Sequence, residues 1–227
     1  MAEVSLPVRV LVWSELSEPK EVYPTGIHGA LADYFSAIPR LEVKMAQISD
    51  PEQGVGEEAL KNAEVLFWWG HARHDEVSDA AAARVVCRVR QEGMGFVPLH
   101  SAHFSKPFIA LMGTECSLGG WREDGKPEYI RVVAPDHPIA KGIADFVVPQ
   151  EEMYNEPFAV PPPEVLLLES RWESGEYFRS GCCWTCGKGR VFYFRPGHET
   201  FPVMFQPEVR RVLRNAAFWA AGAEVPD

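Results

Sequence analysis

No stretch of the sequence is an apolar run of the roughly 18 residues that a membrane-spanning helix needs. Its first residues also lack a basic segment followed by an apolar run and a small-residue cleavage site. Neither a signal peptide nor a membrane association is therefore expected, and the cytoplasm is the expected compartment. Positive charge is scarce as well: 22 Lys and Arg stand against 32 Asp and Glu, a net charge of −10, with the basic residues scattered among acids. That distribution excludes a broad phosphate-binding surface, and no nucleic-acid partner is expected. No Pro/Gly/Ser linker interrupts the 227 residues, so a single domain over 1–227 is expected. Cysteines are few and odd in number, five, which suits a reduced compartment better than a disulfide framework. Cys183-Trp-Thr-Cys186 has the CxxC spacing, but a structural zinc site would want a second pair. A redox motif would open a helix, whereas this one runs into the turn-like Gly187-Lys188-Gly189. Packing within a strand is the reading preferred, with metal and redox roles as the alternatives.

What the sequence does contain is a regular alternation. Val8–Trp13 is a short apolar run that reads as a central strand covered on both faces, and Leu41–Ile48, Glu64–Gly70 and the run from Gly95 to Leu99 read as further strands. Between and after them, Ala30–Phe35, Gly56–Ala63, Ser78–Gln91 (stopped by Gly93) and Pro107–Met112 carry helical spacing. Further strands are expected at Tyr129–Val133, Val165–Glu169, Tyr177–Cys182 and Val191–Phe194. Gly175 and Gly187–Gly189 mark hairpin turns, and Pro207–Ala221 reads as the closing helix. The pattern predicts an α/β fold with a mostly parallel central sheet and a C-terminal β-hairpin region.

In such sheets ligands bind outside the carboxyl ends of the strands, so histidines delivered there by rigid strands are the functional candidates. Val191-Phe-Tyr-Phe-Arg-Pro-Gly-His-Glu199 is a buried-strand pattern that breaks at Pro196-Gly197 and places His198 and Glu199 in the loop beyond. The strand ending at Gly70 is followed by His71-Ala-Arg73-His74-Asp-Glu, which can supply metal ligands, an acid/base pair or an anion clamp. A solvated loop is the bland alternative. The strand from Gly95 runs into His100-Ser101-Ala102-His103, a strand–turn–helix corner of the kind that exposes a nucleophile, here without cysteine and without the glycines of G-x-S-x-G. His28 sits at the start of a helix, where capping or packing explains it equally well. Glu115 lies in a glycine-rich loop. Glu151, Glu152 and Glu156 form an acidic stretch whose simplest reading is a solvated edge.

The combination of Asp136-His-Pro-Ile139 with Gly142, Glu151-Glu-Met-Tyr154, Gly189-Arg-Val-Phe-Tyr193 with Gly197-His-Glu199, and Phe218-Trp-Ala-Ala-Gly222 resembles the ThuA-like (trehalose utilisation) family over nearly the whole chain. The resemblance implies a flavodoxin-like three-layer sandwich of the class I glutamine amidotransferase type, and a role in the metabolism of disaccharides or related sugars. His198-Glu199 is similar to the late His-x-Glu element of the amidotransferases, with the acid one residue closer. Their cysteine has no counterpart, since the corner carries His100-Ser101, so a cysteine-dependent glutaminase is not expected.

Three functions fit these residues. The first is a metal-assisted enzyme that isomerises, cleaves or hydrolyses a sugar, keto-sugar or disaccharide derivative. His28, His71, His103 and His198 would hold Zn2+ or another divalent ion, with Glu115, Glu152 or Glu156 as acid or base. The second is a metal-free enzyme in which His198 is the acid or base and the Ser101 corner serves an oxyanion or supplies the nucleophile. The third is a non-catalytic sugar-binding or regulatory subunit in which Trp121 and other tryptophans stack on sugar faces. Arg73, His71, His74, His100, Glu156 and Trp121 are the expected small-molecule contacts, and no nucleotide cofactor is expected. Phe201, Phe205 and Trp219 are candidates for a homo-oligomer face or for the core.

Overall fold

A computed structural model describes residues 6–227. Its frame is a single sheet of nine strands: β1 (Val8–Ser14), β2 (Leu41–Gln47), β3 (Val65–Trp69), β4 (Gly95–Leu99), β5 (Gly120–Val132), β6 (Phe146–Asn155), β7 (Val165–Arg171), β8 (Tyr177–Cys186) and β9 (Gly189–Phe194). Their order across the sheet is β2-β1-β3-β4-β9-β8-β7-β5-β6. The pairings from β2 to β9 are parallel and those from β9 onward antiparallel. The expectation of a mostly parallel sheet is thus corrected: the sheet is mixed, a flavodoxin-ordered parallel half joined to an antiparallel half through the β8–β9 hairpin.

The inner parallel strands β1, β3, β4 and β9 are short and apolar because both of their faces are covered, whereas β2, at the edge, is half exposed. In β3, Val65, Phe67 and Trp69 pack into one core while Leu66 and Trp68 pack into the other, and β9 divides Phe192 and Phe194 from Val191 and Tyr193 in the same way. Helices α1 (Gly26–Ser36) and α5 (Pro207–Ala220) seal the first core, through Ile27, Leu31 and Phe35 and through Val209, Leu213 and Ala217. Helices α2 (Glu57–Lys61), α3 (Asp79–Glu92) and α4 (Lys106–Met112) seal the second. The ends of α3 are set by chemistry legible in the sequence. The Ser78 hydroxyl accepts from Ala81 N–H, and Gly93 takes φ +83°, the left-handed stop a side chain would resist.

β5 begins inside the expected glycine-rich loop. Its far half, Gly120 to Lys126, pairs with Glu151 to Asn155 of β6, whereas only Tyr129 to Val132 pair with β7. The ribbon's free end packs over the carboxyl end of β9, where the Arg195 guanidinium donates to Glu152 O and Glu151 accepts from Gly197 N–H. The cysteines of the CxxC stretch lie in β8, unbonded and buried, with burial pushing the Cys183 thiol up; they pack as strand residues.

Candidate functional site

Three parallel strands and the β5–β6 ribbon deliver the site. His71 follows β3, His100 follows β4, and His198 and Glu199 follow β9; one ligand-type atom from each lies within 4.8 Å of all the others. The corner after β4 explains why His100 points inward: its φ is +52°, the strained geometry of an exposed elbow residue. Its carbonyl accepts from the Tyr193 hydroxyl at 2.9 Å. The loop after β9 is tied to β3, since Trp69 Nε1 donates to Gly197 O at 3.0 Å.

Proton bookkeeping defines the centre. His100 Nδ1 donates to the Arg195 carbonyl at 3.1 Å, so in the neutral ring Nε2 carries a lone pair. That atom faces His198 Nδ1 at 3.1 Å and Glu152 Oε2 at 3.2 Å. Glu152 Oε2 and Glu199 Oε2 are buried without a hydrogen-bond partner, although Glu199 Oε2 lies 3.2 Å from His198 Nδ1. One proton on His198 Nδ1 satisfies only one of these neighbours, and the Tyr154 hydroxyl, 3.5 Å from His100 Nε2, is a second and longer donor to that nitrogen; together they still leave a carboxylate oxygen of Glu152 or Glu199 without a donor. Burial, opposed by the charge of Glu151 and aided by those of His198, Arg195 and His71, holds His100 well below the usual histidine range, so a second proton on this ring is not the remedy. For His71 burial opposes the charged form, but the hydrogen bond to Glu199 and the charges of Glu199, Glu152 and Glu15 win and raise its pKa. Glu199 is correspondingly lowered: burial disfavours its charge, and His71, His198 and His100 overcome that.

The outer ring atoms of His100 and His198 face acceptors, as those of ligand histidines do. Besides the His100–Arg195 bond, His198 Nε2 lies 3.1 Å from Glu123 Oε1, off the line of a well-aligned N–H bond, and Thr200 donates to that same oxygen. Beneath the centre, Arg195, Glu128 and Glu151 are fully buried. Arg195 sits 3.2 Å from Glu128 and 3.8 Å from Glu151, whose oxygens accept from the N–H groups of Gly197, His198 and Glu152. Tyr154 stacks on His100, and its hydroxyl lies 2.6 Å from Ser101 Oγ. Solvent reaches the cluster past His71, whose side chain is 28% exposed, and Glu123, at 44%. Trp121, 65% exposed, pairs across the ribbon with Tyr154 and so stands on the same face of it.

Several expectations are corrected by this geometry. His28 is absent from the cluster; it packs in the first turn of α1 beside Glu18, and a Cβ at Gly26 would strike both side chains. His103 is buried three residues past the elbow, donates to Cys116 O at 2.8 Å, and is pushed down to about 3 by burial. His100, expected as a substrate contact, takes their place among the converging nitrogens. His74 turns toward Phe104, Arg73 pairs with Glu76, Glu115 is exposed, and Glu156 is held by Arg179 at 2.9 Å. The acidic stretch is no solvated edge, since Glu151 and Glu152 are buried against the site. Glu123 and Glu151 were not singled out as site residues; a lone arginine closing an apolar strand, Arg195, was the signal that buried acids must face it.

The model of the family described as ThuA, trehalose utilisation, matches residues 9–220. The chain belongs to the ThuA family. Membership points to a function related to trehalose utilisation. Among solved structures, a ThuA-like protein from Parabacteroides merdae is 16% identical, with a TM-score of 0.72 over 97% of this chain and 92% of that one. A ThuA-like protein from Bacteroides uniformis is also 16% identical, with a TM-score of 0.68 over 97% and 94%. A glutamine amidotransferase from Thermotoga maritima, 11% identical, has a TM-score of 0.59 over 94% and 99%. At these identities the likeness speaks for the fold, which ThuA proteins share with amidotransferases. A comparison with curated protein sequences finds no match. Among the described residues no helix is long and apolar enough to cross a membrane.

Proposed function

We propose that this ThuA protein is an enzyme of sugar metabolism whose His71, His100, His198 and Glu199 hold a divalent metal ion. The reaction proposed is isomerisation, cleavage or hydrolysis of a sugar, keto-sugar or disaccharide derivative. The observation carrying the reading is the convergence of lone-pair atoms around His100 Nε2, which one proton cannot satisfy and a cation can. Three imidazoles and a carboxylate suit Zn2+, with Mn2+ or Fe2+ as further candidates. Such an ion supplies Lewis-acid chemistry near neutral pH, polarising a carbonyl or lowering the pKa of water. The protein's own groups do the rest. Glu152, 3.2 Å from His100 Nε2, is placed to take or return a proton beside the centre. Glu123 orients His198, and the exposed indole of Trp121 offers a stacking face for a sugar ring.

A second reading rests on the His198–Glu123 contact: without an ion, His198 is a general base oriented by that carboxylate. One experiment separates the two. Protein stripped with a chelator is assayed against a panel of disaccharides and their keto derivatives, before and after Zn2+ or Mn2+ is returned. Turnover that vanishes and is restored supports the metal enzyme, and turnover indifferent to chelation supports the second reading. Binding of saccharides with no turnover under any condition would contradict both and favour a sugar-binding subunit.

A further inference from the structure

His71 is the most exposed imidazole of the cluster, and the backbone carrying it, Gly70 to Arg73, has no regular secondary structure. Its position is therefore set by whatever its N–H groups bind. Two of them bind one buried carboxylate. Glu15, immediately after β1 and 1% exposed, accepts from Ala72 N–H at 2.6 Å through Oε1 and from Arg73 N–H at 3.1 Å through Oε2. Ser17 donates to Oε1 at 2.6 Å, and the Arg73 guanidinium returns a bond to Glu15 O at 2.8 Å. The loop has been shaped around this anion, since a Cβ at Gly70 would come within 3.0 Å of Glu15 Oε2. His198 is held by the same device, with two adjacent N–H groups, of Gly197 and His198, donating to the buried Glu151.

We infer that Glu15 is the positioning residue for His71: a buried carboxylate that fixes the backbone just past the imidazole and so sets its reach to Glu199 and His100. Charge-assisted bonds to consecutive N–H groups are short and directional, so they pin a loop more firmly than neutral contacts do. Outer groups that orient ligands commonly govern metal affinity by about 10- to 100-fold. The functional consequence rests on the metal reading above; the positioning itself does not.

The test uses the full chain and Co2+ as the probe, in wild type, Glu15→Gln and Gly70→Ala. Glu15→Gln keeps the shape but faces an amide NH2 toward a backbone donor; Gly70→Ala crowds the carboxylate. In both variants, amide hydrogen exchange at Ala72 and Arg73 should accelerate by about tenfold or more while amides of β7 and β8 keep wild-type rates. Co2+ affinity should fall by about 10- to 100-fold, with the visible spectrum of the bound ion altered. Unchanged exchange at Ala72 and Arg73 overturns the inference. So does acceleration of every amide by one common factor, or failure of both variants to fold, because either marks a global structural role. If wild type takes up no Co2+, the metal reading falls, and the exchange data still decide whether Glu15 positions the loop.

Discussion

Replacing Glu128 by Gln should flatten the pH dependence of stability, for reasons visible beneath the site. One guanidinium, Arg195, serves two carboxylates, Glu128 and Glu151, and all three side chains are buried. Burial raises the Glu128 pKa, the Arg195 charge lowers it, Glu151 raises it and the Ser170 hydroxyl lowers it, leaving it at about 7 against an ordinary 4.5. The folded chain therefore keeps a proton at Glu128 that the unfolded chain has released. Stability from this group is fully present below pH 4.5 and is lost as the pH rises through about 7. At about 1.4 kcal/mol per unit the loss has a ceiling on the order of 3 kcal/mol. Gln reproduces the neutral form at every pH, so the variant lacks this loss. Urea unfolding at pH 5, 6, 7 and 8 should show the variant gaining on wild type as pH rises, by up to about 3 kcal/mol between the extremes. The absolute offset contains the cost of placing an amide beside Arg195, but its change with pH does not. Parallel curves for the two proteins would refute the assignment of the proton to Glu128.

Trp121→Ala should raise KM for a sugar substrate with little change in kcat, and leave thermal stability near wild type because the indole is 65% exposed; equal losses in kcat and in unfolding temperature would contradict a binding face. Phe192→Ala, in the fully buried middle of β9, should cost about 3–5 kcal/mol in urea unfolding, and a cost under about 1 kcal/mol would mean that the face of the strand shared with α1 and α5 is not packed. His71 binds its proton more tightly than an ordinary histidine, against burial and through Glu199, so metal uptake should already weaken as the pH drops through neutrality; affinity constant down to pH 5 would exclude His71 as a ligand.

The parallel half of the fold is legible in the sequence because strands buried on two faces must be nearly continuous apolar runs, as β1, β3 and β9 are. The ribbon is not. β5 reads Gly-Trp-Arg-Glu-Asp-Gly-Lys-Pro in its far half, and this half pairs with β6 but not with β7, so no apolar alternation marks it. The site divides in the same way. His198 and His71 follow strands that end plainly and are expected at the centre, whereas Glu199, read from the sequence only as the loop residue beside His198, joins them in the structure. His100 and His103 are three residues apart in one turn, and only the positive φ at His100 decides which of them faces the ligand atoms. Sequence spacing does not carry a backbone dihedral. His28 looked equivalent because it too follows a strand, but it lies within a helical turn rather than at the strand's mouth. Glu15, one residue beyond β1, obeys the carboxyl-end rule and could have been found by applying that rule to acids as well as to histidines.

Metal content is the most direct measurement. Protein produced without an affinity tag, dialysed and analysed by elemental mass spectrometry should carry one divalent ion per chain, and His100→Ala and His198→Ala should each carry essentially none. A metal-free wild type whose unfolding temperature is unmoved by added Zn2+ or Mn2+ would contradict the proposed centre.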